Sequence, residues 1–229
     1  MFIIYNNNNK LLCKKSLIKK NNIYIMINYK QKELIPSTII FNHEDKNNII
    51  NQFRPNLTPR QIFLLGSFGG TYWRPIYSNI THKNHKNRHL KFKKVTNDKG
   101  DIENWWEDIP SQYLTTKWED YDINMNKYKV KCGTTLREWE NSGWITSQDP
   151  YGWVEWYCNF YSGRRSKDDE RQIKRWLKLC GPNGRFKKRL INMIKNKNSS
   201  YDDYTISPVI RQTLQHWGYQ LTELDLITN

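Results

Sequence analysis

Residues 149–197, DPYGWVEWYCNFYSGRRSKDDERQIKRWLKLCGPNGRFKKRLINMIKNK, carry aromatic anchors, successive helix signals and a dense basic run. Asp149 before Pro150 reads as an N-cap with proline at the first helical position. Trp153, Tyr157, Phe160 and Tyr161 then recur three and four apart up to a stop at Gly163. This spacing predicts a helix over 150–162, and one so aromatic has to be central. Ser166 with Asp169 starts a second helix over 167–180, with Asp168, Asp169 and Glu170 at the positive end of its dipole and Lys178 near the negative end. Its expected buried stripe is Ile173, Trp176, Leu177 and Cys180. The Gly181–Gly184 turn leads to a third helix over 185–195, with Phe186, Leu190, Met193 and Ile194 inside.

Further out, Ser207 and Pro208 open a helix that buries Ile210, Leu214 and Trp217 and stops at Gly218. Upstream, Thr135 and Glu138 form a capping box with Leu136 and Trp139 on one face and Gly143 as the stop. Thr58, Pro59 and Gln61 do the same for a short helix that buries Ile62, Phe63 and Leu65 before Gly66. Between these lie the Gly69–Gly70 turn, a basic loop over 78–100 and a Trp-rich acidic patch, DIENWWEDIP. Residues 1–50 alternate short Ile-rich runs with Asn and Lys clusters, a low-complexity arm with room for one or two short strands. The expected fold is mainly α: a single compact helical domain over 51–229 with Gly-rich and basic loops, plus the arm.

Lys and Arg number 37 against 22 Asp and Glu, a formal charge of +15, which favours a polyanionic partner. Lys, Asn and Ile also accumulate in AT-rich genomes, which accounts for part of the excess. Cys13, Cys132, Cys158 and Cys180 show no paired spacing, so free thiols in a reducing, intracellular compartment (cytoplasm, nucleus, or viral factory and virion) are expected, with Cys158 and Cys180 as small buried hydrophobes. No run has the length of a transmembrane helix, and no secretory signal pattern is present. The first 32 residues hold seven Lys, one Ser and no Arg, a poor match to a transit peptide.

The candidate functional residues are basic. Arg164, Arg165, Arg171, Lys174, Arg175 and Lys178, with Arg185, Lys187, Lys188 and Arg189 on the following helix, form an expected phosphate-binding surface, and Asn192 is placed to read a base edge. Two helices joined by a four-residue turn also match the helix-turn-helix arrangement, while an ordinary solvated basic face would have the same sequence. Successive helical residues diverge by about 100 degrees, so Asp168, Asp169 and Glu170 are expected to cap rather than to hold a metal. His82, His85 and His89 read as parts of a solvated basic loop, His216 as a helix-terminal cation, and GSFGG as a tight turn. No GxxxxGK[ST], GxSxG or HExxH occurs, and no cofactor or metal is expected.

The segments GSFGGTYWRPI, GWITSQDPYGWVEWYCNFYSGRRSKDDERQIKRW and ISPVIRQTLQHWGY resemble an uncharacterised protein family of bacteria, fungi, algae and large DNA viruses. The likeness spans residues 57–221 and implies one evolutionary unit with an added N-terminal arm; it implies no activity, cofactor or catalytic residue. The Asn, Lys and Ile bias suits a viral or other AT-rich genome. The expected function is non-enzymatic binding of nucleic acid, DNA or RNA, by a basic helical face, with no membrane partner. One alternative is an enzyme acting on nucleic acid through Tyr72, Arg74, Arg164, Arg165 and His216. Another is a packaging protein, possible as a virion component, that binds protein partners through Trp-rich surfaces such as Trp105 and Trp106.

Overall fold

The computed structural model describes residues 49–92, 94–96 and 102–227, together with a short strand pair near the N-terminus. That pair, β1 (Lys19–Lys20) and β2 (Ile23–Tyr24), is antiparallel and belongs to a unit of its own over Met1–Pro36. The remaining Ile-rich runs of the arm, and Cys13, lie outside the described residues.

Within Ser37–Asn229 the described elements are mainly helical: α1 (Pro59–Leu64), α2 (Leu136–Asn141), α3 (Trp153–Tyr161), α4 (Asp169–Cys180), α5 (Arg185–Asn196), α6 (Pro208–His216) and α7 (Glu223–Ile227). Two small antiparallel ribbons accompany them, β3 (Ile76–Ser78) with β4 (Lys83–His85) and β5 (Val95–Thr96) with β6 (Ile102–Glu103). The local signals explain the boundaries of α1 and α2. Thr58 and Thr135 each accept from the backbone N–H three residues on, and Gln61 and Glu138 reach back to complete the boxes.

The start of α3 departs from expectation. It begins at Trp153 rather than Pro150, with Gly152 at its N-cap in a conformation (φ +81°) that favours glycine. Asp149 does not cap it, because its carboxylate accepts from Arg164 and Asn159 instead, while the Tyr151 N–H is taken by Glu155. Ser207 likewise gives α6 no side-chain cap; it adopts a left-handed φ of +48°. At α4 the Ser166 N–H donates to Asp169, a carboxylate that also receives the Trp156 indole N–H at 2.9 Å.

Phe53 is the hub of the core. Its ring meets Trp153, Trp156, Tyr157, Phe160 and Trp176 edge-on, with centroids 5.2–5.9 Å apart, the geometry aromatic quadrupoles favour. Ile173, Leu190, Ile194 and Leu214 close this core from α4, α5 and α6, and Ile49 and Ile50 pack against it from a short 3-10 turn. The Trp-rich patch is not a surface: Trp105 is fully buried and Trp106 nearly so, with its indole N–H donated to the His89 carbonyl at 2.7 Å. Their apolar area is therefore already committed, and no partner surface is built from these two residues.

The basic loop over 78–100 is also more structured than its composition implies. It contains β4, which pairs back onto β3, and a 3-10 helix, Arg88–Phe92, whose His89 and Phe92 are buried. Arg88 and Lys91 from this turn pair with Glu155, whose side chain is completely buried in α3. A carboxylate so deep needs compensating charge, and the loop supplies it. Among the described residues no helix is long and apolar enough to cross a membrane.

Candidate functional site

Among the described residues, three irregular segments and five helices, α2 to α6, surround a cavity of about 420 Å³. Phe68 and Thr71 line it from the Ser67–Thr71 turn. Phe68, Gly69 and Gly70 all have positive φ, at 54°, 55° and 79°, a costly run for a chain containing a phenylalanine. Fully buried glutamines of α6 hold the turn and the chain entering it: Gln215 donates to the Ser67 hydroxyl and the Ile62 carbonyl, and Gln212 to the Gly66 carbonyl. Its own N–H groups are spent, Phe68 on His216, Gly69 on Asn126, Gly70 on Ser67 and Thr71 on Phe68. GSFGG is therefore a tight turn and not a phosphate cradle.

His216 is stacked on Phe68 with ring centroids 3.8 Å apart. Its Nε2 accepts from the Phe68 N–H at 3.1 Å, which assigns the proton to Nδ1, 3.4 Å from the Cys132 sulfur. Burial lowers the His216 pKa to about 3 and raises that of Cys132 to about 11. His216 is thus neutral, not the helix-terminal cation its position in the sequence suggests. The pair is not a thiolate–imidazolium couple.

Aromatic and cationic side chains alternate around the walls. Arg175 lies over both Trp144 and Trp217, at 5.0 and 5.3 Å from the ring centroids, and burial lowers its pKa to about 10 while leaving it charged. Arg74 and Lys131 stand over Trp118, at 5.0 and 5.2 Å, and Lys131 also faces Tyr121 at 4.9 Å. Lys178 and Arg185 complete the basic lining, and among the described residues no Asp or Glu contributes to it. The acid sensed by Arg74 is Glu119, which is exposed and outside the lining.

The basic residues expected to bind phosphate separate into groups. Arg175, Lys178 and Arg185 line the cavity, while Lys188, Arg189 and Asn192 are exposed on α5. Arg164 is engaged by Asp149, Arg171 by Asp168 and Lys174 by Glu170. Arg165 lies over the Phe160 ring at 3.9 Å and donates to the Phe160 carbonyl. Lys187 is a correction: it is buried and bound to Asp225 of α7 at 2.6 Å, so it contributes to docking that helix and not to a surface.

Tyr72, Arg74 and His216 do meet at the cavity, whereas Arg164 and Arg165 do not line it. Asp168, Asp169 and Glu170 turn to Arg171, Trp156 and Lys174 respectively, and among the described residues no three His, Cys, Asp or Glu side chains gather as a metal ion needs. His85 bonds Thr81 at 2.7 Å while His89 is buried.

The sequence reading missed Trp118, Tyr121, Lys131 and Cys132, which lie in an irregular stretch without helical period. The signal present there was the interleaving of aromatic and basic residues in TKWEDYDINMNKYKVKCG. The three longer motifs quoted above all contribute to the lining: Phe68, Tyr72 and Arg74 from the first, Trp144, Tyr151 and Arg175 from the second, His216 and Trp217 from the third. No family model, curated protein or solved structure matches the chain.

Proposed function

We propose that this chain is a non-enzymatic nucleic-acid-binding protein, contacting phosphates through Arg175, Lys178 and Arg185 and, further along α5, Lys188 and Arg189. The observation that carries the reading is a cavity lined, among the described residues, by five cations and several aromatic rings and by no Asp or Glu, with the exposed basic residues of α5 following Arg185 along the same helix. Such a surface attracts a polyanion and releases its counterions. Asn192, exposed on the same helix, is the residue available to read a base edge. Free thiols at Cys132, Cys158 and Cys180 fit a reducing compartment.

The enzymatic alternative has one supporting observation, the meeting of Tyr72, Arg74 and His216 at the cavity. Burial holds His216 neutral and the Tyr72 hydroxyl protonated, and both nitrogens of His216 face fixed partners, so neither group is poised to move a proton near neutral pH. The packaging alternative loses the exposed Trp105 and Trp106 it relied on.

The test is salt-dependent binding of oligonucleotides by the full chain. Log affinity is expected to fall linearly with log salt, and joint replacement of Arg185, Lys188 and Arg189 by Glu is expected to abolish binding with helix content intact. No binding at low salt, or binding indifferent to the triple replacement, overturns the reading.

A further inference from the structure

Resting on that reading, we infer that the cavity receives one unpaired nucleobase of a single strand, with its flanking phosphates on the basic rim. The volume of about 420 Å³ falls in the ligand-pocket range of ~300–1,000 Å³. That space admits a base and part of its sugar, whereas a base pair held in a duplex cannot enter without being opened.

The lining has the chemistry of a base and its phosphate taken together. Trp144 at the lip is 42% exposed, an indole left partly open to solvent beside a buried aromatic core. Arg175 lies over one face of its ring and over that of Trp217, so a charge for the phosphate stands directly beside the exposed indole. Bases stack on such rings without regard to sequence, since each presents a π face. Trp118, with Arg74 and Lys131 over it, and Tyr121, with Lys131 over it, repeat the combination in a second part of the lining. A lining with five cations and, among the described residues, no carboxylate suits an anion and disfavours a cationic ligand.

The experiment uses the full chain and an oligonucleotide carrying one 2-aminopurine, measured as a single strand and as a duplex, with the corresponding mononucleotide as competitor. The inference expects single strand to bind at least about tenfold tighter than duplex, with 2-aminopurine emission quenched on binding. Trp144→Ala, a change at an exposed position, should remove the quench and lower single-strand affinity about tenfold. Trp118→Leu provides a second variant from the other aromatic group, with the same expected direction.

Equal binding of both forms, without quenching and indifferent to Trp144→Ala, overturns base insertion while leaving phosphate binding in place. Failure of both forms to bind at low salt overturns the underlying reading itself. Competition by the mononucleotide at the concentration of the oligonucleotide also overturns the inference, by making the occupant a free nucleotide.

Discussion

Arg164 donates Nη1 and Nη2 to the two carboxylate oxygens of Asp149, at 2.8 and 2.5 Å. The pair joins the chain just before α3 to the chain just after it, and Asn159 of the same helix donates to Asp149 at 2.8 Å. An aromatic helix is thereby fixed at both ends by one buried acid, and the cavity-lining Tyr151 and Trp153 follow directly from it.

Arg164→Leu leaves that acid without its charge partner. Removing one member of a buried pair costs about 3–5 kcal/mol, and the partial exposure of the Arg164 side chain, 29%, puts the expected loss toward the lower end. Urea unfolding should show a lower midpoint with an unchanged slope. A midpoint equal to the parent's would remove the ion pair from the account of α3.

His216 makes stability depend on pH. Its pKa is about 3 in the fold against an ordinary 6.5, so between those values the unfolded chain binds a proton that the folded chain does not. Stability therefore rises with pH across this window and falls on acidification, by up to about 1.4 kcal/mol per unit. His216→Gln, which keeps an acceptor for the Phe68 N–H, should flatten that part of the profile relative to the parent. Parallel urea midpoints for the two proteins from pH 7 to pH 4.5 would refute the assignment.

Gly69 sits at φ +55°, and a Cβ there would come within 2.6 Å of the Tyr121 ring. Gly69→Ala is expected to cost about 1–3 kcal/mol through strain and overpacking. It should also displace Tyr121 from the cavity wall. Thermal unfolding measures the first effect, and a parent-like Tm would show that the turn relaxes without cost.

Trp176 is 2% exposed, meets Phe53 edge-on and donates its indole N–H to the Trp217 carbonyl at 2.9 Å. Trp176→Ala is expected to lose about 3–5 kcal/mol. An unfolding midpoint matching the parent's would exclude Trp176 from the core.

The sequence by itself determined the helices whose signals are local. Capping boxes at Thr58 and Thr135 act over three residues, and the stripe Ile173, Trp176 and Cys180 follows from the pitch of one helix, with Leu177 half-buried at its edge. It also determined that basic residues gather between Arg164 and Lys197.

Which of them are available was decided only in the tertiary structure. Lys187 and Lys188 are neighbours with the same local propensity, yet one is buried against Asp225 and the other faces solvent, because α7 docks on one side of α5. The same distinction explains Asp149, whose signal as an N-cap was outcompeted by Arg164 and Asn159, residues that reach it only once α3 has formed. The cavity itself was hidden for that reason. Its lining comes from segments as far apart as Phe68 and Trp217; the quoted motifs supply many of these residues, but local spacing does not record the long-range packing that brings them together.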